Sequence, residues 1–207
     1  YRIPYKQIPL DENFRINPDD YCCENGGIIF PNPNAPTGVL EGLSMIEKII
    51  KSNPDSIVII DEAYIDFGGE SCLPLIEKYD NLLVVQTFSK SRSMAGMRIG
   101  FAMGNEKLIK YMNDVKFSVN SYTMNPVTQI CGAESVKDEV YFKKTVDKII
   151  ATREDAKIKL KNLGFNFPDS KSNFIFASHN TKPANEIFDE LKKRKIFVRY
   201  WNKPRIS

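Results

Sequence analysis

The chain has 207 residues, enough for one large domain, alone or with a smaller companion, and for a buried core. Its 29 Lys and Arg against 26 Asp and Glu leave a formal charge of +3, far from the basic balance that nucleic-acid or polybasic membrane binding needs; anions smaller than DNA stay compatible. Hydrophobic residues at 42% and charged residues at 27% are ordinary for a globular chain, and no apolar run is long enough to span a bilayer.

From Tyr1 to Leu10, Ile3, Tyr5 and Ile8 lie among polar residues and the stretch passes for a strand, whereas Asp11 to Glu24 is polar and turn-rich. Gly26-Gly27-Ile28-Ile29-Phe30 reads as a short strand running into a dense Pro/Asn loop, Pro31 to Gly38. From Leu40 to Asn53 the apolar residues Leu43, Ile46, Ile49 and Ile50 repeat at helical spacing, and Asn53-Pro54 closes that helix. Ile57-Val58-Ile59-Ile60 is a buried strand. A short helix around Leu73 to Lys78, a strand Leu82 to Val85 and, past a Ser-rich turn, a strand from Met97 to Met103 continue the alternation. Strands without a polar face, separated by helices, predict an α/β architecture: a mostly parallel sheet with helices on both faces.

After Asn105 the spacing predicts a helix to about Val115, a turn at Asn120 to Pro126, and one long amphipathic stretch reaching Leu163. Val146, Ile149, Ile150, Ala156 and Leu160 mark its apolar side, and its many Lys, Asp and Glu residues its solvated face. Gly164 suits the position just past a helix end. Asn173 to Ala177 and Ile196 to Trp201 read as strands flanking a helix from about Pro183 to Lys193, a small α+β unit. The expected division is residues 1–135 for a large domain and 136–207 for a connecting helix and a small C-terminal domain.

Residue types narrow the chemistry. Four cysteines (Cys22, Cys23, Cys72, Cys131) lack CxxC spacing and His179 is the only histidine, so no metal site and no Ser-His-Asp or Cys-His arrangement is supported. The adjacent Cys22-Cys23 pair and the lack of a charged-then-apolar leader point to a reducing cytoplasm. Three segments stand out instead: Asn32-Pro33-Asn34-Ala35-Pro36-Thr37-Gly38, Asp61-Glu62-Ala63-Tyr64, and Thr87-Phe88-Ser89-Lys90-Ser91-Arg92-Ser93-Met94-Ala95-Gly96-Met97-Arg98. Each follows a predicted strand, and in an open parallel sheet the ligand crevice lies outside the carboxyl ends of the strands. Singly, each has a plainer reading: Asp61 as a cap or turn residue, Lys90 as a solvated lysine, Arg98 as an ion-pair partner, the Pro/Asn/Gly loop as a turn.

In that order, NPNAPTG, DEAY and TFSKSRSMAGMRIG together resemble the signature of the fold-type I pyridoxal-phosphate aminotransferases, and most specifically the histidinol-phosphate aminotransferase branch. The resemblance runs over almost the whole chain, since Ser172-Asn173-Phe174-Ile175-Phe176 and Ile196-Phe197-Val198-Arg199-Tyr200 are similar to that family's small domain. It implies pyridoxal 5'-phosphate as cofactor, an amino donor and a 2-oxo acid as substrates, and a homodimer. Asp61 would hold the cofactor's ring nitrogen protonated, as an electron sink requires. Tyr64 would reach the ring's phenolic oxygen. Lys90 would carry the cofactor and afterwards move a proton at the substrate's alpha carbon. Ser89 and Arg98 match the phosphate ligands, a hydroxyl and a guanidinium fork. Where the family's commonest loop has an asparagine immediately before Pro-Thr-Gly, this chain has Ala35; Asn34 either takes over its bond to the ring oxygen or only holds the turn. Arg199 would grip the anionic end of the substrate. Arg92 matches no family position and reads as a surface charge, as does His179 as a surface residue, and Asn173 receives no chemistry.

The resemblance makes histidinol phosphate and 2-oxoglutarate the expected substrates, with an aromatic amino-acid aminotransferase or a threonine-phosphate decarboxylase as sister activities. A scaffold that has lost the cofactor would have little reason to keep Asp61, Tyr64, Ser89, Lys90 and Arg98 as a set, and a nucleotide-binding domain would show GxGxxG or GxxxxGK[ST], which are absent. Starting at Tyr1 and stopping at Ser207, the chain reads as a fragment lacking N- and C-terminal parts and inactive alone. Arg205 superficially resembles the family's second substrate arginine, but it follows Arg199 too closely and reads as a loop residue.

Overall fold

The computed structural model describes residues 2–203. Its centre is a four-stranded sheet of β1 (Ile28–Pro31), β2 (Val58–Asp61), β3 (Leu82–Thr87) and β4 (Gly100–Gly104), in that spatial order. The first three strands are parallel and in step, with Ile28, Val58 and Leu82 level at one end and Pro31, Asp61 and Val85 at the other. β4 runs antiparallel to β3, from the pair Thr87↔Gly100 to Leu83↔Gly104. The sheet is therefore mixed, because residues 88–99 contain only a 3-10 turn (Ala95–Met97) and no crossover helix to bring the chain back parallel.

Helix α1 (Leu43–Ser52) lays Ile46, Ile49 and Ile50, all fully buried, against Ile28, Phe30, Val58, Ile60, Leu82 and Val84. Each isoleucine buried in this way stabilises the fold by roughly 1.5–3 kcal/mol. The opposite face is less covered than expected: Ile29 is 70% exposed. An apolar strand records that both faces tolerate burial, not which segment lies over them.

Helix α2 (Glu106–Val119) extends past the expected end, N-capped by Asn105, whose side chain accepts from Lys107 N. The expected single amphipathic stretch is two helices, α3 (Pro126–Lys137) and α4 (Glu139–Asn162). Asp138 separates them: it ends α3 with non-helical angles and accepts from Tyr141 N to start α4. Gly164 follows α4 with φ +86°, the left-handed geometry expected of it.

Several expected elements differ. Residues 2–10 form no strand, and Leu73 to Lys78 yields only the 3-10 turn Leu73–Leu75, with Pro74 in it. β4 starts at Gly100 rather than Met97, because Arg98 is left-handed (φ 58°). Asn173 to Ala177 is not a strand: the hydroxyls of Ser170 and Ser172 donate to Phe174 O, occupying a carbonyl that a ladder would use. β5 (Phe165–Asn166) pairs antiparallel with β6 (Ser178–His179), and α5 (Ala184–Lys193) follows. Ile196 to Trp201 has no ladder partner among the described residues. Arg205 lies outside the described residues. No helix among them is long and apolar enough to cross a membrane.

Candidate active site

Asp61 ends β2 level with Pro31 and Val85, and strand alternation puts it on the face away from the Val58 and Ile60 core. One of its oxygens accepts from Ala63 N at 3.0 Å; the other has no hydrogen-bond partner among the described residues. The next residue, Glu62, turns to the core side and is 1% exposed. Its carboxylate accepts from Ser71 Oγ (2.6 Å), Cys72 N (2.6 Å) and Gln86 Nε2 (2.9 Å), the satisfaction a buried carboxylate needs. Burial, and then the Glu62 charge, push the Cys72 thiol well above its ordinary range, so this cysteine is no nucleophile. Two neighbouring carboxylates thus divide: Glu62 anchors the strand ends and Asp61 is left open to a ligand.

Tyr64 stands edge-on to Phe174, with ring centroids 5.0 Å apart, and the Lys90 amine lies 5.2 Å from the Tyr64 ring centroid, within cation–π range. Neither the Lys90 amine nor the Tyr64 hydroxyl has a hydrogen-bond partner among the described residues. Lys90 sits in the 88–99 loop at the end of β3. Phe88 N donates to Ile99 O (3.1 Å), which prolongs the ladder beyond Thr87↔Gly100 and leaves Ser89 and Arg98 flanking the neck of the loop. Ser89 N donates to Thr87 Oγ1 at 3.1 Å. Arg98 is exposed, and its Nη1 donates to Ala95 O at 2.7 Å.

The Pro/Asn loop is held from within. Buried Asn32 donates to Glu41 O (3.1 Å) and accepts from Glu41 N (2.7 Å). Asn34 Nδ2 donates to Thr37 Oγ1 at 2.7 Å, and Asn34 O accepts from Gly38 N at 2.8 Å, so this side chain holds the turn. Ala35 is exposed. Gly38, at φ +74°, approaches Ser170 so closely that a Cβ would lie 2.7 Å from the serine's Cβ and 3.0 Å from its Cα. Lys171 N donates to Gly38 O at 2.8 Å, fastening residues 170–174 beneath the loop.

A cavity of about 990 Å³ opens beside these loops, lined by Ala35, Tyr64, Phe174, Phe176, Arg199 and Trp201 among others. Tyr64 is thus shared between the Lys90 side and a largely aromatic chamber, whereas Asp61, Ser89, Lys90 and Arg98 lie outside its wall. Arg199 is exposed, its guanidinium 5.7 Å from the Trp201 ring centroid. Asn173 is exposed too.

Two residues read as surface groups are tied to other elements. His179 is half-buried; its Nδ1 accepts from Thr181 N (3.2 Å) and Lys182 N (3.1 Å), which leaves Nε2 to donate to Leu163 O at 3.0 Å and cap α4. Arg92 is half-buried, with Nη1 donating to Ser135 O at 2.6 Å. Sequence reasoning also passed over Glu62, whose place one residue after Asp61 on a strand was the available signal, and Arg153. The latter is 6% exposed on α4 and donates to Phe67 O and Ser172 O, both at 2.8 Å, tying the turn after Tyr64 to the Phe174 segment. No local pattern announces it.

The sequence profile of the family described as aminotransferase class I and II matches residues 1–207. The chain is 55% identical, over its whole length, to a histidinol-phosphate aminotransferase of Lactococcus lactis subsp. lactis strain IL1403 and covers 58% of that protein. The chain thus spans about three fifths of the length of the curated relatives it matches. A crystal structure of the histidinol-phosphate aminotransferase from Clostridium acetobutylicum superposes with a TM-score of 0.85 at 26% identity, over 92% of this chain and 60% of that one. The enzyme of the same name from Sinorhizobium meliloti, solved in complex with pyridoxal-5'-phosphate, matches at TM-score 0.77 and 22% identity, over 87% of this chain and 50% of that one, and bears on the fold alone.

Proposed function

The chain belongs to the class I and II aminotransferases, and on that premise we propose that the protein carrying it is a pyridoxal-phosphate-dependent histidinol-phosphate aminotransferase using 2-oxoglutarate. The observation that carries this reading is a set of polar groups left without partners at neighbouring strand ends: the second oxygen of Asp61, the Tyr64 hydroxyl and the Lys90 amine. A carboxylate, a phenol and an amine answer the ring nitrogen, ring oxygen and aldehyde of pyridoxal phosphate, and Ser89 with Arg98 answers its phosphate, so the residues present fit the group. When bound, the cofactor supplies an electron sink for the bond broken at the substrate's alpha carbon.

In this reading Asp61 keeps a proton on the ring nitrogen, and Tyr64 donates its hydroxyl to the ring oxygen. Asn34, committed to Thr37, holds the loop, so Tyr64 serves that oxygen where Ala35 offers nothing. The Lys90 amine would hold the cofactor by its aldehyde and would serve as the base that moves the proton at the substrate's alpha carbon. Arg199, on the wall of the chamber that also holds Tyr64, receives the anionic end of the substrate. Residues 1–135 make up part of the cofactor-binding domain, and 136–207 a connecting helix and part of a small one. The working protein is a cytoplasmic homodimer. The name shared by relatives near 55% identity supports histidinol phosphate as donor over aromatic amino acids or threonine phosphate.

The test adds pyridoxal phosphate to the full-length protein that carries this chain, reduces with borohydride and maps the labelled peptide. The label is expected on Lys90 and is lost in Lys90→Ala; a label on any other lysine refutes the assignment. A donor panel with histidinol phosphate, phenylalanine and threonine phosphate decides the substrate, and a preference for either of the last two overturns the specific reading.

A further inference from the structure

Beyond the Phe88 N to Ile99 O bond at its neck, the backbone of the Lys90 loop is secured by turn bonds, Ser93 N to Lys90 O (3.1 Å), Met94 N to Phe88 O (3.0 Å) and Met97 N to Met94 O (3.0 Å). A lysine amine on a flexible four-carbon stem is held over one spot only as well as its backbone is held. We propose that Arg92 is a positioning residue that clamps the Lys90 turn onto helices α3 and α4; its importance for turnover rests on the aminotransferase reading above. The guanidinium carbon lies 4.1 Å from the Phe142 ring centroid and 5.4 Å from that of Phe88, between a ring of α4 and a ring of the loop's own start. Its Nη1 donates to Ser135 O, a carbonyl in the last turn of α3 that has no partner within the helix. A cation is favoured at that end by the helix dipole. Arg92 has no carboxylate within ion-pair distance among the described residues, so its charge is directed at the two rings and the helix end.

The helix beneath is a fitted seat. A Cβ on Gly132 of α3 would lie 2.8 Å from Ile99 Cδ1, and buried Thr128 meets Met97 Sδ at 3.9 Å. On the other flank, buried Ser91 donates to Asp66 in the 3-10 turn directly after Tyr64. The two residues after Lys90 are therefore both tied to other elements: Ser91 to the 3-10 turn after Tyr64, Arg92 to α3 and α4. Together they fix the amine near the Tyr64 ring.

The test compares the parent with Arg92→Ala and Arg92→Lys in the cofactor-free protein, by amide hydrogen exchange and by competitive acetylation of lysines read by mass spectrometry. In Arg92→Ala the Ser93 and Met94 amides are expected to exchange at least tenfold faster, while the Val58 and Glu62 amides, bonded across the sheet, keep their rates. Lys90 acetylation should change at least threefold relative to exposed Lys48. Arg92→Lys, which keeps the charge without the planar fork, should fall between the two. Unchanged exchange at Ser93 and Met94, or equal acceleration at Val58 and Glu62, overturns the proposal. Both readouts are taken without cofactor, so failure of the full-length protein to take pyridoxal phosphate at Lys90 refutes the proposed activity, while the clamp is still judged by its own exchange pattern.

Discussion

Replacing Gly38 by Ala probes whether the Pro/Asn loop is held by its fit against residues 170–174. Gly38 has φ +74°, where a residue with a Cβ costs about 1–2 kcal/mol. The added methyl would also lie 2.7 Å from Ser170 Cβ and 3.0 Å from Ser170 Cα, and a backbone carbon cannot swing aside as a side-chain tip can. Overpacking of that kind costs about 1–3 kcal/mol, and the Lys171 N to Gly38 O bond resists the shift that would relieve it. The total is about 2–5 kcal/mol, which for a chain of this size lowers the melting temperature by roughly 4–20 °C. Urea and thermal unfolding followed by circular dichroism would read it as a lower midpoint at unchanged m. Gly26→Ala is the control: a Cβ there meets nothing within 4 Å, and the change should stay within about 0.5 kcal/mol. In a Ser170→Gly background the cost of Gly38→Ala should fall by about 1 kcal/mol, leaving the φ strain and the crowding against the backbone of residue 170. If Gly38→Ala unfolds with its Gly26 counterpart, the argument from close approach is wrong.

Asp61→Asn keeps the side chain's shape and removes the charge proposed to hold the ring proton. Turnover should fall by several orders of magnitude, about tenfold for each 1.4 kcal/mol lost, and a near-normal kcat rejects that role. Ala35→Asn restores the family's commonest residue at an exposed position; with Tyr64 serving the ring oxygen, the pH titration of the bound cofactor's absorbance should move by less than about one unit, and a larger shift means that the oxygen lacked a partner. Asp169 accepts from Lys157 and lies 3.2 Å from Lys171 Nζ; the Lys157 bond first of all holds its carboxyl below the ordinary range. A depressed carboxylate stabilises the fold above its unfolded pKa of about 3.9 and loses that contribution as pH falls through the folded value. The stability gap between parent and Asp169→Asn should therefore be full above about pH 5 and close on acidification; a gap independent of pH contradicts the pairing.

Much of the candidate site was legible because it is written in local rules. Ile46, Ile49 and Ile50 at helical spacing placed α1, the apolar runs at Ile28, Val58 and Leu82 placed three strands, and the ends of those strands and the loops after them carry Asn34, Asp61 and Lys90 to one end of the sheet. The family motifs lie in those same loops, where residue type and spacing are fixed within a few positions. Legibility stopped first where a local side-chain hydrogen bond overrides the apolar pattern. Asp138 reads as one more charge on an amphipathic helix until its angles break that helix in two, and Asn173 to Ala177 reads as a strand until the Ser170 and Ser172 hydroxyls take its carbonyl.

By itself, then, the sequence determined helix α1, strands β1 to β3 and the identity of the chemical groups at the strand ends, since periodicity and turn chemistry depend on neighbours along the chain. The tertiary structure alone decided that β4 turns back antiparallel, that Asp61 stays open while Glu62 is spent on Ser71, Cys72 and Gln86, and that Arg92 and Arg153 are structural ties rather than surface charges. A hydrogen bond or ring contact between residues tens of positions apart leaves no period in the sequence, because its partners are chosen by the path of the chain through space and not by their separation along it.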